Sequence, residues 1–280
     1  MKANKSPGED GLPLEFYKAF WNEIGDLLVE VYNEGYHNKI LSPSMRKSII
    51  TLIYKKGDRS NIANYRPISL TNLDYRILAN VLAMRLQNVI SHIVDPAQVA
   101  YIKDRFIGTN IRLVQDVFDL YNKKQIPGIL MFADFKKAFD SIEWDFLFKT
   151  LIKFNLGDSF QQWIRILYTK PNAVIKNNGY PSDEFELFRG VRQGCPVSAL
   201  LFILCVEVLA SHIRQNNNIT GLRLDNEGER NIKIIQYADD ATIFVRNVKE
   251  LDEVITSINL YGSVAGTEFI KMRGVMVRNL

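Results

Sequence analysis

The segment Gln236-Tyr237-Ala238-Asp239-Asp240-Ala241-Thr242-Ile243-Phe244-Val245 constrains the fold of this chain more than any other. Aromatic and β-branched residues lie on both sides of a polar break, the pattern of two short strands reversing on themselves. Strands are expected over 232–237 and 242–245, with Asp239 and Asp240 at the turn. Aspartate is an ordinary turn residue, and the pair taken alone needs no further reason. Two neighbouring carboxylates nevertheless repel each other, and a bound cation is the usual reason to keep them together.

A second segment supplies a third carboxylate. Pro127-Gly128 opens a continuous apolar run that ends on Asp134, as a buried strand would, and a loop and helix start follow through Asp140. On its own, Asp134 reads as a helix cap or a strand-end charge. With Asp239 and Asp240 it makes three carboxylates at strand ends, the smallest set that bridges two Mg²⁺ ions, with Mn²⁺ as the alternative metal. Two such ions activate a primer hydroxyl and stabilise a departing pyrophosphate.

Elsewhere, Phe16, Phe20, Ile24, Leu27, Leu28 and Val31 recur at helical spacing. So do Ile77, Leu78, Val81, Leu82, Leu86, Val89 and Ile93, in a helix stopped by Asp95-Pro96. Strands are expected over 46–54, 64–70, 173–176 and 184–188, and helices over 143–154, 158–168, 196–214 and 248–261. That order implies an α+β fold with a mostly antiparallel sheet. The two cysteines, Cys195 and Cys205, argue against a disulfide framework or a zinc site, and the N-terminus lacks the apolar core of a secretory signal. The apolar run 197–213 is interrupted by Ser198, Glu207, Ser211 and His212, so it reads as a buried helix and not as a membrane span. A reducing compartment, nucleus or cytoplasm, is expected. The net charge of +4 specifies no partner. Locally, Arg46, Lys47, Lys55, Lys56, Arg59 and Arg66 face a lone Asp58, a cluster able to bind phosphate, although such clusters are more often only solvated.

Further landmarks follow one another along the chain: Ser6-Pro7-Gly8 with Asp10-Gly11, the stretch 53–58, Asn64-Tyr65-Arg66-Pro67, the stretch 98–108, the Asp134 segment, Arg189 to Pro196, and Tyr237-Ala238-Asp239-Asp240. In that order and spacing they resemble the reverse transcriptases of non-LTR (long interspersed element type) retrotransposons over most of the chain. The resemblance implies a right-hand polymerase: a fingers-like region over 1–125 and a palm over 126–280, with 141–190 contributing to the fingers. An antiparallel palm sheet packed on helices is expected, with no thumb, endonuclease or zinc knuckle. The implied partners are an RNA template, a DNA primer and deoxynucleoside triphosphates, with no membrane.

The same resemblance assigns roles. Asp134, Asp239 and Asp240 become catalytic metal ligands, with the backbone carbonyl of Phe135 as a further donor. Phe139 stands where the family has an aromatic ring that excludes a 2′-hydroxyl; a core ring facing Phe146 is the plain alternative. Lys55, Lys56 and Arg66 are expected to hold the triphosphate. Gln193 and Gly194 are expected at the sugar or base pair, and Lys103, Arg105 and Arg112 along the template backbone. The end of the chain departs from the family. Ala265-Gly266-Thr267-Glu268 puts an acid where a base is expected, and Lys271 sits at the wrong offset for the lysine that protonates pyrophosphate. A short deletion or frame damage is the expectation there. The alternatives to a working polymerase are an inactive nucleic-acid-binding remnant of one and, less favoured, an RNA-dependent RNA polymerase.

Overall fold

The computed structural model describes residues 5–224 and 231–276. Two compact units emerge: Met1–Leu86 with Leu151–Ala199, and Gln87–Thr150 with Leu200–Leu280. The first unit, like the expected fingers over 1–125 with 141–190 added, is discontinuous in sequence. The cause is the strand Asn172–Asn177, which pairs in parallel with Lys47–Tyr54. Parallel strands cannot be joined by a tight hairpin and need a long crossover. Here the crossover contains residues 87–150, the start of the second unit.

In the first unit, Lys47–Tyr54 also pairs antiparallel with Tyr65–Thr71, from Ser48 opposite Thr71 to Tyr54 opposite Tyr65. The short strands Tyr180–Pro181 and Phe185–Glu186 fold back onto Asn172–Asn177. Helices Trp21–Asn38 and Asp158–Leu167 meet through the rings of Tyr36 and Trp163, with centroids 4.9 Å apart.

The second unit is built on a four-stranded antiparallel sheet in the order Glu268–Met276, Ile129–Lys136, Asp240–Val245, Ile234–Tyr237. Side chains alternate between its two faces. On one face Leu130, Ile235 and Phe244 pack with Val117 and Tyr121 of helix Ile107–Lys124 and with Leu222. On the other, Met131, Ala133, Phe135, Ala241 and Ile243 are buried. The ring of Phe135 meets Phe202 and Tyr261, so helices Ser198–Gln215 and Val248–Ala265 cover that side. Each large apolar side chain buried in this way stabilises the fold by about 1.5–3 kcal/mol.

The helix Ser198–Gln215 is long and apolar enough to cross a membrane by composition, yet 67% of it is buried inside the structure, in keeping with a core role. Both cysteines are buried and free. Two elements lie beyond the sequence expectations. Helix Ile107–Lys124 has a helical apolar period in Ile107, Ile111, Val114, Val117 and Tyr121, but that stretch was assigned to the fingers with no helix of its own. The segment where a deletion or frame damage was expected forms the strand Glu268–Met276 beside the Asp134 strand, with one register shift between Phe269 and Lys271.

Candidate active site

Cross-strand register brings the carboxylates together. Asp240 already belongs to the second strand of its hairpin, and its direct antiparallel partner is Asp134. Directly opposed residues share a face, with Cβ atoms about 4.5–5.5 Å apart, and like charges so placed destabilise a sheet. Asp239 occupies the two-residue turn beside them. Asp134 and Asp239 are half-buried and Asp240 is exposed. Among the described residues, no three His, Cys, Asp or Glu side chains close into a metal cage. An open carboxylate pair with a third acid next to it still suits Mg²⁺, which takes one or two carboxylates and fills its remaining positions with waters and substrate phosphates. The donor set therefore fits the ion, and the opposed charges give it something to offset.

The hairpin is fixed from its outer edge. Segment 97–99 runs beside the strand Ile234–Tyr237 as a parallel bridge. The Gln236 N–H donates to the Ala97 carbonyl at 2.9 Å, and the Val99 N–H donates to the Gln236 carbonyl at 3.2 Å. Asn110, buried on helix Ile107–Lys124, donates its amide to the same Ala97 and Gln236 carbonyls at 3.0 Å each. Asn110 was not anticipated from the sequence. A polar residue on the apolar stripe of an amphipathic helix was the available signal.

Phe135 and Phe139 sit differently. The Phe135 ring is 2% exposed and points to the covered face of the sheet, away from Asp134. Only its backbone is in a position to contribute a ligand. Phe139, in the short helix Ala138–Ser141, is half-buried. Its ring stacks on Phe202, with centroids 4.8 Å apart and planes 16° from parallel. Phe146, the neighbour expected of a core Phe139, meets Tyr261 edge-on. Phe202 thus backs Phe139, a partner the apolar run 197–213 concealed.

In the first unit, Lys55, Lys56 and Arg66 are all exposed. They flank the loop of the first hairpin, where the Lys55 N–H donates to the Asn64 carbonyl at 2.8 Å and Arg66 pairs with Ile53. The loop is clasped by its own side chains. The Tyr54 hydroxyl donates to the Gly57 carbonyl, the Asn64 amide to Asp58 and the Tyr65 hydroxyl to Arg59, whose guanidinium lies over the Tyr54 ring. Gln193 and Gly194 lie against the return strand: the Ser69 N–H donates to the Gln193 carbonyl at 2.8 Å. At Gly194, φ is +108° and a Cβ would stand 2.8 Å from the Ser69 carbonyl oxygen, so no side chain fits. Behind this loop, Arg192 is buried over the Tyr75 ring and donates to the Arg46 carbonyl at 2.8 Å.

The three residues expected along the template divide. Lys103 and Arg112 are exposed, and Arg112 pairs with Asp116 at 2.8 Å. Arg105 is half-buried and engaged within the protein. Its guanidinium donates to the carbonyls of Ser91, Val94, Asp95 and Gln98, at 2.6–3.0 Å, and so caps the end of helix Leu73–Ile93. Burial pulls its pKa below the ordinary arginine value, while Asp95 and Glu207 oppose that shift. The carbonyls of a helix end require donors, and a five-donor fork meets that need as well as it meets phosphate. Lys271, considered above as a general acid, is the register partner of Asp134; its side chain lies outside the described residues.

Comparison with known proteins follows this geometry. The family model for reverse transcriptase (RNA-dependent DNA polymerase) matches residues 53–271. The chain is 31% identical over 265 residues to the transposon TX1 uncharacterized 149 kDa protein of Xenopus laevis, covering 95% of this chain and 20% of that protein. It is 24% identical over 271 residues to the Pol polyprotein of the type-1 retrotransposable element R2 of Popillia japonica, covering 96% of this chain and 35% of the relative. The chain thus spans between a fifth and about a third of the length of these relatives. Among solved structures, a telomerase of Candida tropicalis in complex with a telomeric RNA fragment superposes with a TM-score of 0.60 at 14% identity, over 92% of this chain and 45% of that one. The likeness extends to the fold, an α+β polymerase architecture with antiparallel sheets.

Proposed function

We propose that this chain, which belongs to the reverse transcriptase family and has its relatives in non-LTR retrotransposons, adds deoxynucleotides to the 3′ end of a primer on an RNA template by two-metal phosphoryl transfer. The observation that carries this reading is the register pairing of Asp134 with Asp240, with Asp239 adjacent, on the open half of a palm-like sheet. In this reading the second unit is the palm and the first the fingers.

Asp134, Asp239, Asp240 and the Phe135 carbonyl are the residues that would hold Mg²⁺ or Mn²⁺. When bound, the ions would lower the pKa of the primer hydroxyl and neutralise charge on the leaving pyrophosphate. The protein contributes position: the carboxylates are fixed by strand pairing before any substrate arrives, so little ordering remains for the reaction step. Lys55, Lys56 and Arg66 are assigned to the triphosphate as point charges and a fork. Gly194, with no room for a side chain, and Gln193 are assigned to the sugar or base pair. Lys103 and Arg112 remain assigned to the template backbone, where contact independent of sequence suffices.

Phe139, held rigid by its stack on Phe202, is assigned to exclude a 2′-hydroxyl. Replacing it with Ala should lower discrimination against ribonucleotides about tenfold, a change on the scale of one pocket contact. An unchanged sugar preference would return Phe139 to the core. The proposal as a whole is tested by primer extension on an RNA template in Mg²⁺: extension that chelation abolishes supports it. Extension that persists in Asp134→Asn or Asp240→Asn would refute the metal-ligand assignment.

A further inference from the structure

The turn that carries Asp239 has an unusual backbone. The loop between Tyr237 and Asp240 holds two residues, Ala238 and Asp239, and Ala238 has φ +53°. Hairpin turns of this length place their first central residue in that region and normally use glycine or asparagine there. An alanine with positive φ is sterically costly and persists only where surrounding structure over-determines it. The question is what holds it.

The answer lies on segment 97–99. Gln98 is 1% exposed, and its side-chain amide is spent on backbone. Its Oε1 accepts from the Ala238 N–H at 3.1 Å and from the Ala100 N–H at 3.0 Å, and its Nε2 reaches the Ala238 carbonyl at 3.5 Å. Both polar groups of one peptide residue are thus met by one side chain. Two accepted N–H bonds fix the orientation of the amide. Gln98 itself cannot drift. Its carbonyl accepts from Arg105 at 2.7 Å, and the parallel bridge to Gln236 anchors the backbone on either side. The chain runs from the half-buried Arg105 fork through Gln98 to the residue preceding the two adjacent aspartates.

We propose that Gln98 is a positioning residue that clamps Ala238 in its left-handed conformation and so sets where Asp239 and Asp240 present their carboxylates. The proposal rests on the assignment of those carboxylates to metal ions, but its primary readout does not. A Gln98→Met variant keeps the volume and removes all three bonds. It should fold, and amide hydrogen exchange should accelerate in 236–241 while 198–215 keeps wild-type protection. Mn²⁺ affinity and kcat for primer extension should each fall about 10–100-fold, the range for groups that orient metal ligands. The KM for deoxynucleotide should stay constant, because the hydrogen-bond partners of Gln98 (Ala100, Arg105 and Ala238) are not the residues assigned to the triphosphate.

Adding Ala238→Gly removes the steric cost that the clamp offsets, so the double variant should recover much of the lost kcat; a general packing role predicts no recovery. Unchanged exchange over 236–241 in Gln98→Met overturns the proposal, as does failure of Gln98→Met to fold with or without Ala238→Gly. If the wild-type chain extends no primer, the functional reading fails, and the exchange data alone still decide whether Gln98 holds the turn.

Discussion

Two hairpins carry most of the chemistry assigned to this chain, and they are held in opposite ways. The loop between Lys47–Tyr54 and Tyr65–Thr71 is long and exposed, and the contacts that clasp it are its own: Tyr54 to Gly57, Asn64 to Asp58, Tyr65 to Arg59. The loop between Ile234–Tyr237 and Asp240–Val245 is two residues long and is gripped from outside. The Asp134 strand lies on one side, segment 97–99 on the other, and Gln98 and Asn110 bind its backbone. The contrast follows from what each must do. A cation attracts phosphate over several ångströms and tolerates a flexible arm, whereas metal ligands work only within a few tenths of an ångström. Rigidity is concentrated where charge has to be placed.

The largest effects are expected at the rigid hairpin. Asp134→Asn or Asp240→Asn should lower primer extension by at least about 100- to 1000-fold, the cost of losing one preorganised charge contact in a transition state. Binding to a primer–template duplex should keep its salt dependence, since neither acid contacts phosphate directly. At the self-clasped hairpin the expected change is of another kind. Lys56→Ala or Arg66→Ala should raise the KM for deoxynucleotide about 10- to 100-fold, the worth of one charge-assisted hydrogen bond. The kcat should hold, and the difference should shrink at high salt. A fall in kcat with KM constant would mean that the cations act on the reacting centre after all.

The rigid hairpin was legible in the sequence as two apolar, β-branched runs around a polar break, although Asp240, expected in the turn, opens the second strand. What holds it was not. Gln98 and Asn110 act through side-chain hydrogen bonds to the backbone of Ala238 and Gln236, more than a hundred residues away, and no period in the sequence reports such bonds. The return of a later segment to the first unit was expected only from the family resemblance, as 141–190, and not from local patterning. The parallel pairing of Asn172–Asn177 with Lys47–Tyr54 is a long-range contact that local patterning does not encode. Arg105, two positions from Lys103, reads in sequence as a phosphate contact, and its four carbonyl partners are equally invisible there.

Arg105 provides the next test of the scaffold behind the rigid hairpin. Arg105→Met should cost about 1 kcal/mol of stability, because partly buried carbonyls at a helix end lose their donors, measured as a lower midpoint in urea. The salt slope of template binding should stay constant, whereas Lys103→Ala, if that residue meets a phosphate, should reduce the slope by about one. The smallest effect is the most specific. Without divalent cations, Asp134→Asn should stabilise the chain by about 0.2–1 kcal/mol, because it relieves two like charges placed directly opposite each other. Added Mg²⁺ should close that gap by stabilising the wild type alone.

Everything assigned to the site rests on Asp134 and Asp240 sharing divalent cations across their strands. Titration of Mn²⁺ followed by electron paramagnetic resonance reads that directly, without substrate. The wild-type chain should bind Mn²⁺ in a way that Mg²⁺ displaces, and both Asp134→Asn and Asp240→Asn should weaken that binding by about tenfold or more. Equal Mn²⁺ binding by the wild type and both variants would contradict the account.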